Sequence, residues 1–183
     1  MEIIKFSQFN KMPWKNGQGT TYEVIIDPPR SSVSSLNFNY RISMALIQQE
    51  NNFSDFSGYY RFLTIIEGEG ITFNLTELKK FEVIKFDGSE SVHSKPLGSE
   101  PVLDLGCIFK NKEDVDFFIT EQIVSKVGHN LFIFPLEKGF PFGNDFVDKF
   151  DCLIINDKDR DAAFTISNLP IQKYAVISIL KTI

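Results

Sequence analysis

A chain of 183 residues is long enough for one domain, or for two small halves that share a core. It is 43 % hydrophobic and 23 % charged, the balance of a globular protein, and its 19 phenylalanines promise a Phe-rich interior. A net charge of -5 argues against nucleic acid as a partner, because domains that bind it carry a basic face.

No helical stripe of useful length appears. Short runs rich in Ile, Val, Phe, Tyr and Thr, divided by Gly, Asn, Asp and Pro, predict strands instead. They fall at 21–27, 37–48, 59–67, 70–75, 80–86, 102–109, 115–120, 130–136, 150–156, 162–167 and 174–180. The long one at 37–48 puts Phe38, Tyr40, Ile42, Met44 and Leu46 on one face, and Asn39, Arg41, Ser43 and Ala45 on the other. "EGEG" at 67–70 reads as a hairpin turn. "DPPRSSVSSLN" (27–37) is a polar loop, and "EKGFPFGND" (137–145) is a loop apolar enough to tuck against the body. Strands at this spacing mean an all-β sandwich or barrel, dividing near residue 110 into a longer first half and a shorter second.

No basic start leads into an apolar run, and no apolar stretch nears the ~20 residues that span a bilayer, so the expectation is a soluble cytoplasmic protein with no membrane partner. Cys107 and Cys152 then stay reduced, as small buried hydrophobes.

Most familiar chemistry is missing. His93 and His129 are too few and too scattered for a His-rich metal site. His93 reads as a loop residue, and His129 as a structural or surface residue at a strand start. There is no Gly-x-Ser-x-Gly elbow. "NGQG" (16–19) leads into a strand, so no helix N-terminus is there to hold phosphate. "DKDRD" (157–161) lacks the glycine and closing glutamate of a calcium loop and reads as a solvated turn.

What remains is a set of polar residues on predicted strands. Arg41 and Ser43 are neighbours on the polar face of 37–48, and Arg61 shares a face with Leu63 and Ile65. An arginine among apolar residues needs an acceptor. On residues alone an internal pair with Glu23, Asp104 or Asp55 is favoured. The other reading puts a guanidinium, a serine hydroxyl and the Trp14 indole around a cavity, a set suited to a small carboxylate or amide. In "NNFSDFSGYYR" (51–61), Phe53 and Phe56 read as core plugs, Ser54 and Asp55 as turn residues, and Gly58 as a site of tight approach or positive φ. "MPWKNGQGTTYE" (12–23) is a packing corner or the lip of a binding site.

The motifs "MPWKNGQGTTYEV", "YRISMALI", "NNFSDFSGYYRFLTIIEGEG" and "FDGSESVHSKPLGSEPVLDLGCIF", in that order over residues 12 to 109, resemble the HutD/Ves family. The resemblance implies an all-β, cupin-like double-stranded β-helix with two barrel halves in one chain, a bicupin. Residues 1–110 would be the first half, carrying the motifs, and 111–183 a smaller second half sharing its core. The motifs would bring Trp14, Lys15, Asn16, Gly17, Glu23, Arg41, Ser43, Phe53, Ser54, Phe56, Arg61 and Asp104 to the site. Tyr40 would join Trp14 and Phe53 as pocket wall. Three positions depart from the family pattern: Gln18 stands for a glycine, Tyr40 for a tryptophan, and Gly106 for an asparagine.

A conventional cupin metal site needs about three histidines, so no metal and no cofactor are expected. The family's link to histidine utilisation implies a metal-free binder of a small carboxylate of the formylated or formimino glutamate class, with a regulatory or governor role. It also shifts the expectation for Arg61, and for Arg61 alone, from internal pair to ligand contact. Two alternatives stay open: an isomerase or hydrolase using Glu23 or Asp104, and a homodimeric interaction protein.

Overall fold

The computed structural model describes residues 1–112, 114–123, 127–156 and 169–180. The chain opens with β1 (Glu2–Ile4) and a 3-10 turn at Phe6–Gln8. Next come β2 (Asn10–Pro13), β3 (Gly19–Asp27), β4 (Tyr40–Ile47), β5 (Asn51–Asn52) and β6 (Tyr60–Glu67). They are followed by β7 (Gly70–Phe73), β8 (Thr76–Lys79), β9 (Val83–Asp87), β10 (His93–Pro96) and β11 (Val102–Phe109). The remainder comprises β12 (Val115–Thr120), β13 (His129–Pro135), β14 (Phe140–Phe142), β15 (Asp145–Val147), β16 (Cys152–Ile155) and β17 (Tyr174–Leu180). The all-β class is as the sequence predicts.

The strands form two compact units. One spans Phe9–Lys112, and the other joins Met1–Gln8 to Glu113–Ile183. The first eight residues thus belong with the C-terminal unit, because β1 pairs antiparallel with β16, Ile3 opposite Leu153. That unit holds a five-stranded sheet, β1-β16-β13-β17-β12, and the small β14–β15 pair. Leu131, Ile133, Leu153, Tyr174 and Val176 fill its core.

The Phe9–Lys112 unit holds a six-stranded sheet, β2-β3-β4-β11-β6-β9, and a four-stranded sheet, β5-β10-β7-β8. Neither hydrogen-bond ladder closes on itself. Ile47, Leu63, Ile65, Ile71, Leu78, Phe86 and Val102, drawn from both sheets, make one core cluster, with Trp14, Phe53 and Phe73 packed against it. A second cluster gathers Phe38, Phe56, Tyr59 and Ile108. The Tyr59 hydroxyl donates to the carbonyls of Leu36 and Phe38, so the loop before β4 is tied to the one before β6.

Some local readings change. "EGEG" does not close a hairpin ladder: β6 and β7 lie in different sheets. Gly68 and Gly70, at φ 92° and 139°, turn the chain from one sheet to the other. Residues 137–145, predicted as loop, contribute to the β14–β15 hairpin, Phe140 opposite Val147. His93 starts β10, with Nδ1 3.0 Å from Asn52 Oδ1 and Nε2 3.1 Å from Glu50 Oε1. His129 starts β13, buried, with Nδ1 3.0 Å from Ser178 Oγ. Cys107 and Cys152 are free and buried, and burial pushes both thiols well above their ordinary pKa. The predicted strand 162–167 and the "DKDRD" turn lie outside the described residues.

Candidate functional site

The alternation of side chains along the six-stranded sheet creates the site. In β4, Arg41, Ser43, Ala45 and Ile47 share one face, and in β11 the matching face carries Asp104, Gly106 and Ile108. Register aligns them in rows. Ile108 stands between Arg41 of β4 and Arg61 of β6; Gly106 between Ser43 and Leu63; Asp104 between Ala45 and Ile65. These residues, Ile65 excepted, line a cavity of about 510 Å³ within the Phe9–Lys112 unit, together with Trp14, Lys15, Asn16, Asn51, Phe53, Ser54 and Phe56. The polar face of β4 is therefore a cavity wall. Its opposite face is also buried, with Ile42 and Met44 at 0 % exposure.

The Trp-Lys-Asn-Gly stretch is the turn joining β2 to β3, whose ladder runs up to Pro13 opposite Thr20. Trp14 N–H donates to the Gly19 carbonyl at 2.9 Å, and Gly17 N–H to the Trp14 carbonyl at 3.0 Å. Gly17 sits at φ 71° in this turn, a conformation that costs glycine least. Gly19 is needed for a different reason: a Cβ there would stand 2.6 Å from the Leu46 carbonyl and 2.8 Å from the Trp14 ring. The indole lies against the bare Gly19 backbone, and its Nε1–H donates to Thr21 Oγ1 at 2.8 Å. The stretch is a packing corner, and Trp14, Lys15 and Asn16 in it also line the cavity.

Two arginines and two carboxylates dominate the electrostatics. Arg41 is 7 % exposed, and its Nε donates to Glu23 Oε2 at 2.6 Å. Glu23 lies diagonally across the β3–β4 ladder, opposite Ser43, and it does not itself line the cavity. Among the described residues, Arg61 has no carboxylate within ion-pair distance. Its Nη1 donates to the Ser54 carbonyl at a long 3.3 Å, and its guanidinium carbon stands 4.8, 5.4 and 5.1 Å from the ring centres of Phe53, Phe56 and Phe86. Burial lowers its pKa to about 10, with Asp104 opposing that shift and Arg41 adding to it.

Asp104 is 6 % exposed. Its Oδ1 accepts from the Ala45 N–H at 2.9 Å, and Oδ2 has no hydrogen-bond partner. Burial raises its pKa to about 7, against the pull of the Ala45 N–H, Arg61 and Arg41. Arg41 and Glu23 thus cancel. One guanidinium and one carboxyl group on the same wall are left without an ion-pair partner among the described residues.

The other expected residues divide as follows. Ser43 lines the cavity, and its hydroxyl makes no hydrogen bond within the described residues. Asn16 braces its own turn, exchanging bonds with Gln18 at 2.6 and 3.0 Å. Ser54 also lines the cavity, but it meets Arg61 through its carbonyl rather than its hydroxyl. Asp55 closes an Asx turn on Ser57, and Gly58 sits at φ 85°, both as the sequence suggests. Gly17 and Tyr40 do not line the cavity. Tyr40 alternates with Arg41 and so belongs to the other face of β4.

Three contributors were not visible in the sequence. Thr21 anchors the indole, Phe86 completes the ring cage of Arg61, and Asn51 is a buried amide in the wall, donating to the Gln49 carbonyl at 3.1 Å. The alternation of β3 and β9 signals the first two once the sheet order is known. Among the described residues, no group of three His, Cys, Asp or Glu side chains is arranged to hold a metal ion, and no helix is long and apolar enough to cross a membrane.

Similarity to known proteins agrees with this architecture. The HutD family profile matches residues 6–164. An uncharacterized 21.2 kDa protein in the hutC 3' region of Pseudomonas putida is 32 % identical over 103 residues, 54 % of this chain and 53 % of its own. Protein Ves of Citrobacter koseri is 30 % identical over 110 residues, 56 % of each. The chain thus spans about half the length of these relatives. HutD from Pseudomonas fluorescens SBW25, in a formate condition, superposes with a TM-score of 0.65 at 23 % identity, covering 98 % of this chain and 96 % of that one. A cupin 2 conserved barrel domain protein from Leptotrichia buccalis superposes at 0.56 and 10 % identity, over 99 % and 96 % of the two chains. The fold is cupin-like, and with the family profile matching most of its length, this chain belongs to the HutD family.

Proposed function

We propose that the protein is a cupin-like small-molecule binder that holds a small carboxylate in the cavity of its Phe9–Lys112 unit. The finer fold reading goes with it: each unit is one barrel-like half of a bicupin. The observation that carries the function is Arg61. It presents a guanidinium to a cavity of about 510 Å³, without a carboxylate partner, in a cage of three phenylalanine rings. Arg61 is partly buried, and a cation withdrawn from water is costly until an anion meets it; a planar guanidinium meets a carboxylate with two parallel hydrogen bonds. Ser43 and Asn51 supply neutral polar groups, and Trp14 and Phe53 the apolar wall. Family membership, and a relative lying beside hutC, support ligands of histidine breakdown, formylated or formimino glutamates, and a regulatory or governor role.

A thermal-shift screen of such compounds and of simple carboxylates, formate included, tests this. A native-state ligand raises the melting temperature with its concentration over its Kd. The expected result is a shift from at least one carboxylate, abolished in Arg61→Ala. No shift at millimolar concentration would overturn the reading.

Asp104 favours a second reading, a catalyst. A carboxyl group titrating near 7 beside an open cavity has the poise of a general acid or base, whereas Glu23 is committed to Arg41. Turnover of a formylated amino acid by the wild type, lost in Asp104→Asn and kept in Glu23→Gln, would establish it. Equal background rates in all three would remove it.

A further inference from the structure

Arg61 accounts for one end of a ligand; the same wall holds a second group that nothing among the described residues satisfies. Asp104 is 6 % exposed, and its Oδ1 is taken by the Ala45 N–H at 2.9 Å. Among buried side-chain polar atoms left without a partner, only Thr64 Oγ1 is fully sealed from solvent. Asp104 Oδ2 is therefore unpartnered yet reachable, and the space it can be reached from is the cavity it lines. Building on the carboxylate reading of Arg61, we propose that Asp104 is the specificity residue for the far end of the ligand. It accepts a hydrogen bond from an N–H group, so that the site takes N-substituted amino acids rather than plain dicarboxylates.

Three features support the pairing. First, the competing cation is spent: Arg41 is held by Glu23 at 2.6 Å and does not close onto Asp104. Second, Asp104 and Arg61 belong to different rows of the same face, one level with Ala45 and Ile65, the other level with Ile108. The β11 position between those rows is Gly106, which has no side chain to stand between the two charges. A ligand can lie across Gly106 with one end at each. Third, the charged groups around Asp104 favour its acceptor form. Arg61 faces it from β6 and Arg41 from β4, β3 contributes only the already paired Glu23, and Lys15 stands at the lip. Burial opposes ionisation and outweighs these groups, raising the pKa to about 7, and an N–H arriving at Oδ2 replaces the missing solvation.

The test compares N-acetylglutamate with the O-acetyl ester of 2-hydroxyglutarate, in which oxygen replaces the N–H at constant shape. Calorimetric titration of the wild-type protein should give the N–H compound the tighter Kd by about tenfold or more, the range for a hydrogen bond to a charged group. Asp104→Asn tests the sign. Its carbonyl would keep the Ala45 N–H and turn an NH₂ toward the ligand, so the preference should vanish or reverse toward the ester. Equal binding of the two compounds by the wild type overturns the inference and leaves the Arg61 reading intact. Failure of both compounds, and of every simple carboxylate, overturns both. The wild-type comparison stands even if the variant does not fold.

Discussion

Arg41 and Arg61 flank Ile108 on the same row of one sheet face, yet only Arg41 has a carboxylate, Glu23 at 2.6 Å. The pair divides two roles that the sequence left joined. One arginine holds β3 to β4, and the other has no carboxylate partner among the described residues.

Glu23→Gln should therefore be a stability variant. It strands a guanidinium that is 7 % exposed, and breaking a buried pair from one side costs about 3 kcal/mol. Urea denaturation should show that loss, and adding Arg41→Met to Glu23→Gln should recover most of it, because no charge is then left unpaired.

Arg61→Ala should behave in the opposite way. It gives up a 3.3 Å hydrogen bond and three ring contacts, but also a partly buried charge, so the net stability change should stay within about 1.5 kcal/mol. Carboxylate affinity should fall at least about thirtyfold, ~2 kcal/mol. Arg61→Lys should recover little, since a point charge neither stacks in the cage nor forms a fork. Calorimetry and denaturation on the same samples separate the two quantities.

Asp104 gives a pH dependence with a definite sign. Its folded pKa, about 7, lies above the ordinary carboxylate range, so the folded state binds more protons than the unfolded state between about pH 4 and 7. Its contribution to stability is full below about pH 4 and is lost as pH rises through 7. Between pH 5 and pH 8 the wild type should lose about 2–3 kcal/mol relative to Asp104→Asn. Denaturant titrations at the two pH values check this, and parallel behaviour of the two proteins would contradict it.

Trp14 is the chain's single tryptophan, and it lines the cavity, so its fluorescence should report ligand entry directly. Trp14→Phe should lose the bond to Thr21, about 1 kcal/mol. Gly19→Ala should cost more, about 2–3 kcal/mol, because its Cβ would meet a rigid carbonyl at 2.6 Å as well as the indole.

The sequence showed the strands best where burial on both faces leaves a continuous apolar run. Val102–Phe109 and Tyr174–Leu180 have the predicted limits, as does Val115–Thr120 although its Asp116 is exposed. It did not show β8 and β10, "TELK" and "HSKP", since short polar strands carry no pattern that distinguishes them from loops. The site was legible as a set of residues but not as a set of partners. Which arginine Glu23 serves depends on the β3–β4 ladder, whose register shifts between Glu23 and Ile25, and periodicity carries no information about such a bulge. Gly17 and Tyr40 belong to matching motifs without lining the cavity: one shapes the turn, the other faces away. Gly106 had the converse fate. It read as a lost amide, and in the sheet it lines the cavity between Ser43 and Leu63, where an added Cβ would stand 3.4 Å from the Phe62 carbonyl.

The first strand sets an order of assembly. Every ladder from β2 to β11 finds its partners within the stretch from Asn10 to Phe109, so the cavity is complete in a segment that leaves the ribosome early. β1, made before all of it, pairs with β16, Ile3 opposite Leu153. Three residues at the start of the chain therefore stay unpaired until Cys152–Ile155 is synthesised, and the separation makes this the slow contact of the fold. Every residue that lines the cavity is thus made before the strand for which β1 waits.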